Sequence, residues 1–321
     1  MRAFVTGADG FAGQWLLHSL LEAGDEAAGA SRAQRLPLST LAADEARHVR
    51  WYCVDVRDGA VLCAALADWK PDTVFHLAAQ TFVPASVKDP LETFDINLLG
   101  TARVLESCRS SAPDATTVII GSGDAYGEVG AAQLPIREDV PLQPRSPYAA
   151  SKAAAEVIAL QYARAGWLKV VVLRPFNHTG PGQSAQFAIP SFAQQIADIK
   201  KKRVDPVLLT GDLSARRDLT DVRDIVEAYR LAALSAKSGS VYNVCSGSAV
   251  SMQEIVDELI GIAGIKVRVA LDATRLRGSD IALIYGDATA LRANTGWQPR
   301  IPLRRTLADV LAFFSSQRQQ P

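Results

Sequence analysis

The stretch Phe4–Gly13, FVTGADGFAG, decides how this chain folds. Phe4, Val5 and Thr6 run into Gly7, and Gly10 and Gly13 follow as the apolar-periodic segment FAGQWLLHSLLEAG (11–24) begins. That is a strand, a glycine turn and a helix. Gly7 permits the tight turn, Gly10 lets backbone amides approach an anion at the helix N-terminus, and Gly13 lets helix pack closely on strand. The spacing is GxxGxxG rather than GxGxxG, but its context points to the pyrophosphate of a dinucleotide.

The same rhythm recurs outward from the turn. RAFVTG (2–7), DEAAGAS (25–31), VRWYCVDV (49–56), DTVFHLAA (72–79), TTVIIGSG (116–123) and KVVVLRPF (169–176) are separated by segments long enough for crossover helices. This predicts a parallel sheet covered on both faces, a Rossmann-type doubly wound α/β domain over 1–174. From RPFNHTGPGQ (174–183) the texture changes to more Pro, Gly and Gln, which predicts a smaller C-terminal α/β substrate domain over 175–321. Within it, DVRDIVEAYRLAAL (221–234) and SVYNVCSG (240–247) read as a helix and strand returning to the main sheet. KKKR (200–203) reads as a solvated helix end and SSQRQQP (315–321) as a polar tail.

Of the 321 residues, 48% are hydrophobic and 21% charged, ample for a large core. Lys plus Arg balances Asp plus Glu at 34 each, so net charge favours neither nucleic acid nor an anionic membrane as partner, and the expected ligand is small. Cys53, Cys63, Cys108 and Cys245 are scattered without a CxxC pair, which suits reduced thiols and no metal site. MRAFVTG carries no charged leader and no apolar run reaches the ~18 residues of a membrane span, so a soluble cytoplasmic protein is expected.

At the end of the second strand an NAD enzyme places an acid on the adenosine ribose. Here Ser31 and Arg32 offer a hydroxyl and a guanidinium, which suit the 2′-phosphate of NADPH better than NADH. Asp55, followed by Val56, ends the third strand, where a carboxylate can accept from the adenine amino group. SPYAASKAAAEVIALQYARAG (146–166) carries Tyr148 and Lys152 four residues apart, on one helical face. A phenol of reference pKa ~10 is a poor acid or base at neutral pH. One ammonium ~5 Å away at an effective dielectric of ~20 is worth roughly 3 kcal/mol, which predicts a phenol lowered by about two units. Ser122, after VIIG, is placed to bind the same reacting oxygen.

Together GxxGxxG, HLAAQ (76–80), Asn97 in NLLG, Ser122 and the YxxxK of Tyr148 and Lys152 resemble the extended short-chain dehydrogenase/reductases that act on nucleotide sugars. The likeness runs over essentially the whole chain. RPFNHTGPGQ, RRDLTDVRDI, VYNVCSG and NTGWQPRIPL are closest to GDP-6-deoxy-4-keto-mannose reductases and more loosely similar to GDP-mannose 4,6-dehydratases. The resemblance implies that Phe11, Leu77, Ala78, Ala79, Asn97, Tyr148 and Lys152 meet the cofactor. It implies that Gln80, Ser86, Ser122, Asn177 and Gln183 meet the GDP-sugar, with Arg217 and Arg277 clamping its diphosphate. His178 reads as structural.

A reductase needs only the hydride machinery, whereas a dehydratase needs a further acid/base pair, typically including a glutamate just after the catalytic hydroxyl. Here those positions hold Gly123 and Asp124. Asp124 is one methylene shorter than glutamate, and a displacement of ~1 Å costs about a hundredfold in rate. It is retained as a catalytic candidate that can also bind the sugar. The reading is therefore a keto-sugar reductase; a dehydratase or bifunctional dehydratase/reductase, an epimerase and a non-catalytic NADP-binding module are the alternatives. Apolar residues nearly all round 153–160 suggest burial on two sides, and the resemblance implies a homodimer through a four-helix contact.

Overall fold

The computed structural model describes residues 1–33, 38–275 and 281–316. Six strands, β1 (Arg2–Thr6), β2 (Glu26–Ser31), β3 (Val49–Cys53), β4 (Thr73–His76), β5 (Thr116–Ile120) and β6 (Lys169–Pro175), alternate with helices. These helices are α1 (Phe11–Glu22), α2 (Ala43–Arg47), α3 (Gly59–Trp69), α4 (Val83–Lys88), α5 (Pro90–Phe94), α6 (Gly100–Ser111) and α7 (Pro147–Arg164). A π-helical turn, Asp95–Leu99, joins α5 to α6.

Beyond β6 come β7 (Asn177–Thr179), α8 (Ala188–Lys200), β8 (Val207–Thr210), β9 (Arg216–Asp221), α9 (Val222–Ser235) and β10 (Ser240–Val244). The remainder is β11 (Ala249–Ser251), α10 (Met252–Ala263), β12 (Arg268–Leu271), β13 (Leu283–Ile284), α11 (Thr289–Thr295) and α12 (Leu303–Ser316). Strand β10 returns to pair in parallel with β6, so the main sheet runs β10-β6-β5-β4-β1-β2-β3. The order reverses at β1, flanked by β2 and β4, and that switch point opens a crevice beyond the carboxyl ends of the strands.

Period-two alternation assigns neighbouring side chains to opposite faces. Val5, Phe75 and Val118 pack with Leu16, Leu17 and Leu20 of α1 and with Ile225 and Val226 of α9. Phe4, Val74 and Ile119 pack instead with Leu62 and Leu66 of α3, Val104 and Leu105 of α6, and Ala159 of α7. A separate core joins α8, α10 and α12 through Phe192, Ile196, Ile255, Leu259, Leu307 and Val310. KKKR lies in exposed positions from the last residue of α8 into the turn beyond it.

One buried polar cluster ties α7 to the sheet. Arg174 on β6 donates from Nε to Glu156 on α7 at 2.9 Å, and its Nη1 reaches the Tyr126 hydroxyl and the Glu138 carbonyl. Tyr126 donates onward to Asn243 Oδ1 at 2.7 Å. Arg174 is 5% exposed and Glu156 4%, so removing one partner strands a desolvated charge. Glu156→Ala is expected to lower unfolding free energy by about 3–5 kcal/mol. Urea denaturation of the variant measures this, and a loss within experimental error would contradict the buried pair.

Candidate active site

A cavity of about 660 Å³ occupies the switch-point crevice. Its cradle is made by backbone. Gly7 has φ +68°, and a Cβ there would stand 2.7 Å from the amide nitrogen of Ala78; a Cβ on Gly13 would stand 2.2 Å from the Gly7 carbonyl oxygen. Neither place tolerates a side chain. The Gly10 amide donates to Gly7 O at 3.0 Å and is used within the turn. No side chain caps α1, and the amides of Phe11 and Ala12, both on the cavity wall, have no acceptor among the described residues. Two unpaired donors at a helix N-terminus fit a pyrophosphate.

Ser31 and Arg32 line the β2 side of this cavity, as do Asp55 and Val56 at the end of β3. The Ser31 hydroxyl accepts from Ala33 N at 3.1 Å. Arg32 is exposed and forms no salt bridge with a carboxylate among the described residues, although its charge helps to lower the pKa of Asp55. Asp55 accepts from Arg57 through the backbone amide at 2.9 Å, Nε at 3.0 Å and Nη2 at 2.6 Å, which holds its carboxyl below the usual range. The carboxylate expected on the adenine thus also accepts from Arg57, with acceptor capacity left on Oδ2 at the cavity lining.

On the far wall Ser122 follows β5, and its hydroxyl accepts from Asp124 N at 3.1 Å. Helix α7 begins at Pro147, capped by Ser146 accepting from Ala149 N, which sets Tyr148 and Lys152 on its cavity side. Lys152 donates from Nζ to Ile120 O at 2.8 Å, and burial pulls its ammonium down to about 8. Burial and then the charge of Asp124 push the Tyr148 phenol above its ordinary value, while Ser122 acts the other way. This reverses the direction expected from the sequence. The ammonium is bound to a backbone carbonyl, and desolvation dominates the phenol.

Asn97 acts behind the wall. It is 1% exposed; its Oδ1 accepts from Gln80 N at 2.8 Å, and its Nδ2 donates to Gln80 O and Ser151 Oγ, each at 2.9 Å. Ser151 in turn donates to Tyr148 O at 2.7 Å. Asn97 therefore joins the Gln80 loop to the start of α7 rather than facing a cofactor. His76, without a role in the sequence reading, is buried between Thr6 Oγ1 at 2.8 Å and Thr101 Oγ1 at 2.9 Å. Thr101 donates to Asn97 O, so it accepts from His76 Nε2–H, and Nδ1 accepts from Thr6. Burial, aided by the Lys152 charge, holds this imidazole neutral with its pKa near 3.

Leu77, Ala78, Ala79, Gln80, Asp124, Asn177 and Gln183 line the cavity. The Gln80 amide is partly engaged, accepting from Phe82 N and donating to Thr93. Gln183 is folded back, accepting from Thr179 at 2.7 Å and donating to His178 O at 3.2 Å. His178 stacks on Phe11 with ring centroids 6.2 Å apart and bonds Phe176 O through Nδ1. Two expected sugar contacts do not reach the cavity wall. Ser86 is fully buried and donates to Val83 O at 2.7 Å, satisfying its own helix. Arg217 donates from Nη1 to Arg216 O at 3.0 Å and to Ile281 O, bracing β9. Arg277 lies outside the described residues. The cavity also gathers Phe82, Phe187 and Tyr229, which the sequence reading passed over because they come from separate elements without a shared motif.

Among the described residues no group of three or more His, Cys, Asp or Glu is placed to hold a metal, and no helix is long and apolar enough to cross a membrane. The parallel sheet, glycine cradle and Ser–Tyr–Lys wall define an enzyme of the extended short-chain dehydrogenase/reductase class. The chain belongs to the GDP-mannose 4,6-dehydratase family, which it matches over residues 4–310. It is 41% identical to the GDP-6-deoxy-D-mannose reductase of Pseudomonas aeruginosa over 77% of this chain and 81% of that one. It is 32% identical to the UDP-glucose 4-epimerase of Mycolicibacterium smegmatis over 99% of this chain and all of the other. The solved structure of RMD from Pseudomonas aeruginosa complexed with NADPH superposes with a TM-score of 0.83 at 34% identity, covering 98% of this chain and 99% of that one.

Lys152 offers a direct check on the electrostatics. In protein whose lysines carry 13C-methyl labels, one NMR resonance should titrate at about pH 8, charged below and neutral above, and be missing from Lys152→Met. Titration of every lysine near 10.5 would contradict a desolvated ammonium.

Proposed function

We propose that the protein binds NADPH and reduces the 4-keto group of GDP-4-keto-6-deoxy-D-mannose, giving GDP-D-rhamnose or its carbon 4 epimer GDP-6-deoxy-D-talose. The observation carrying this reading is the convergence of Ser122, Tyr148 and Lys152 on one cavity wall opposite the glycine cradle. The likeness to the Pseudomonas reductase supports the choice of sugar nucleotide. NADPH supplies hydride when bound. Ser122 holds the carbonyl oxygen, and Tyr148 donates its proton as that oxygen becomes an alkoxide. A raised phenol pKa keeps Tyr148 protonated at neutral pH, the state from which a reduction starts. Lys152, cationic below about pH 8, stabilises the phenolate left behind. The exposed Arg32 guanidinium on the cavity lining suits a 2′-phosphate and favours NADPH over NADH.

Residues 1–174 with 221–247 serve the dinucleotide in this reading, and the remainder of 175–321 serves the sugar nucleotide. A dehydratase is the second reading, favoured by Asp124 on the cavity wall beside the phenol. Against it, a Cβ on Gly123 would stand 3.0 Å from the Phe176 ring, so a glutamate does not fit there without displacing that ring. The exposed apolar residues Leu91 (79%), Leu99 (48%) and Val157 (62%) lie on α5, the π-turn and α7, and we assign them to a homodimer contact.

With the keto-sugar and NADPH, the protein should oxidise the cofactor and yield a 4-hydroxy product identifiable by NMR, faster than with NADH. Tyr148→Phe should lower turnover at least about a hundredfold while dinucleotide affinity holds. Water loss from GDP-mannose without net cofactor use would establish the dehydratase instead. For the assembly, Leu91→Glu with Val157→Glu should convert a dimer to a monomer by sedimentation equilibrium; a wild-type monomer would refute the contact.

A further inference from the structure

Tyr229 is 1% exposed, yet it lines the cavity, so what surface it keeps faces inward. No hydrogen bond to its hydroxyl is found among the described residues, and that oxygen is not among the fully buried unsatisfied atoms, so it keeps some surface. Buried phenols ordinarily find a partner. Tyr126, buried in the same core, shows the usual arrangement, bonded to both Asn243 and Arg174. Tyr229 therefore presents an unused donor to whatever fills the crevice.

The position of α9 decides which end of a ligand it meets. α9 packs against α1, β5 and β6, on the opposite side of β1 from β2 and β3, where Arg32 and Asp55 stand. A dinucleotide whose pyrophosphate lies at the start of α1 runs its adenosine toward β2 and β3, and its pyridine end toward β5 and β6. Tyr148 is at that second end, near enough that its phenolate, when formed, would raise the Tyr229 pKa. The two phenols arrive from opposite faces of the sheet, Tyr148 on α7 and Tyr229 on α9. Burial keeps Tyr229 neutral, which suits an uncharged acceptor rather than a phosphate.

Building on the NADPH reading above, we propose that Tyr229 is a positioning residue whose hydroxyl bonds the carboxamide of the nicotinamide and fixes the ring's orientation. It moves no proton in the reaction. Its task is to supply the polar contact that an otherwise apolar α9 face lacks.

The test compares two ligands on two proteins without turnover. Wild type and Tyr229→Phe are titrated calorimetrically with NADPH and with 2′-phospho-ADP-ribose, which keeps both ribose units and every phosphate but lacks the nicotinamide. Tyr229→Phe keeps the ring and removes an unpaired hydroxyl, so its melting temperature should not fall. Its NADPH affinity should drop about five- to tenfold, the size of one neutral hydrogen bond, while 2′-phospho-ADP-ribose binds as to wild type. Equal NADPH affinity in the two proteins, or equal weakening of both ligands, would overturn the assignment. Failure of wild type to bind NADPH would overturn the cofactor reading itself, an outcome distinct from either of these.

Discussion

The close approach of Gly13 to the Gly7 carbonyl, where a Cβ would have only 2.2 Å, is the constraint from which the site is built. It lets α1 start directly above β1, so its uncapped amides point into the crevice instead of into a loop. The same turn brings Gly7 against Ala78, fixing the end of β4 beside it. Backbone contacts of this kind cannot relax by changing a rotamer. The geometry of the cradle is therefore insensitive to the surrounding side chains.

From that cradle a chain of buried hydrogen bonds carries position to the reactive wall. Thr6 on β1 donates to His76 on β4, His76 to Thr101, and Thr101 to the Asn97 carbonyl. The Asn97 side chain then grips Gln80 and Ser151, and Ser151 grips the carbonyl of Tyr148. Every donor in this chain has one assignable direction, which holds only while His76 is neutral. Its strongly lowered pKa provides that throughout the physiological range. Asn97 itself sits in the π-turn Asp95–Leu99.

The reactive groups are in tension with their surroundings. Desolvation disfavours charge on both Tyr148 and Lys152, raising one pKa and lowering the other. In the reduction proposed above, a phenol that stays protonated and an ammonium held by a backbone carbonyl serve proton donation to a substrate oxygen. Asp124 adds to the bias against the phenolate. The Ile120 carbonyl holds the Lys152 ammonium in place.

Much of the architecture is legible in the chain by itself, because local interactions determine it. The period-two runs specify buried strands, the glycine trio specifies a strand–turn–helix, and the four-residue spacing of Tyr148 and Lys152 puts both on one side of α7. What those residues experience is decided by the tertiary structure. Ser86 turns to Val83 and Arg217 braces β9, since each finds a nearer partner once the chain is packed. Tyr229 joins the cavity although no motif marks it, because the packing of α9 beside α1 brings it there. The sign of the Tyr148 shift belongs with these: charge spacing is written in sequence, but desolvation depends on everything that surrounds a group, and here burial, with the charge of Asp124, sets the direction.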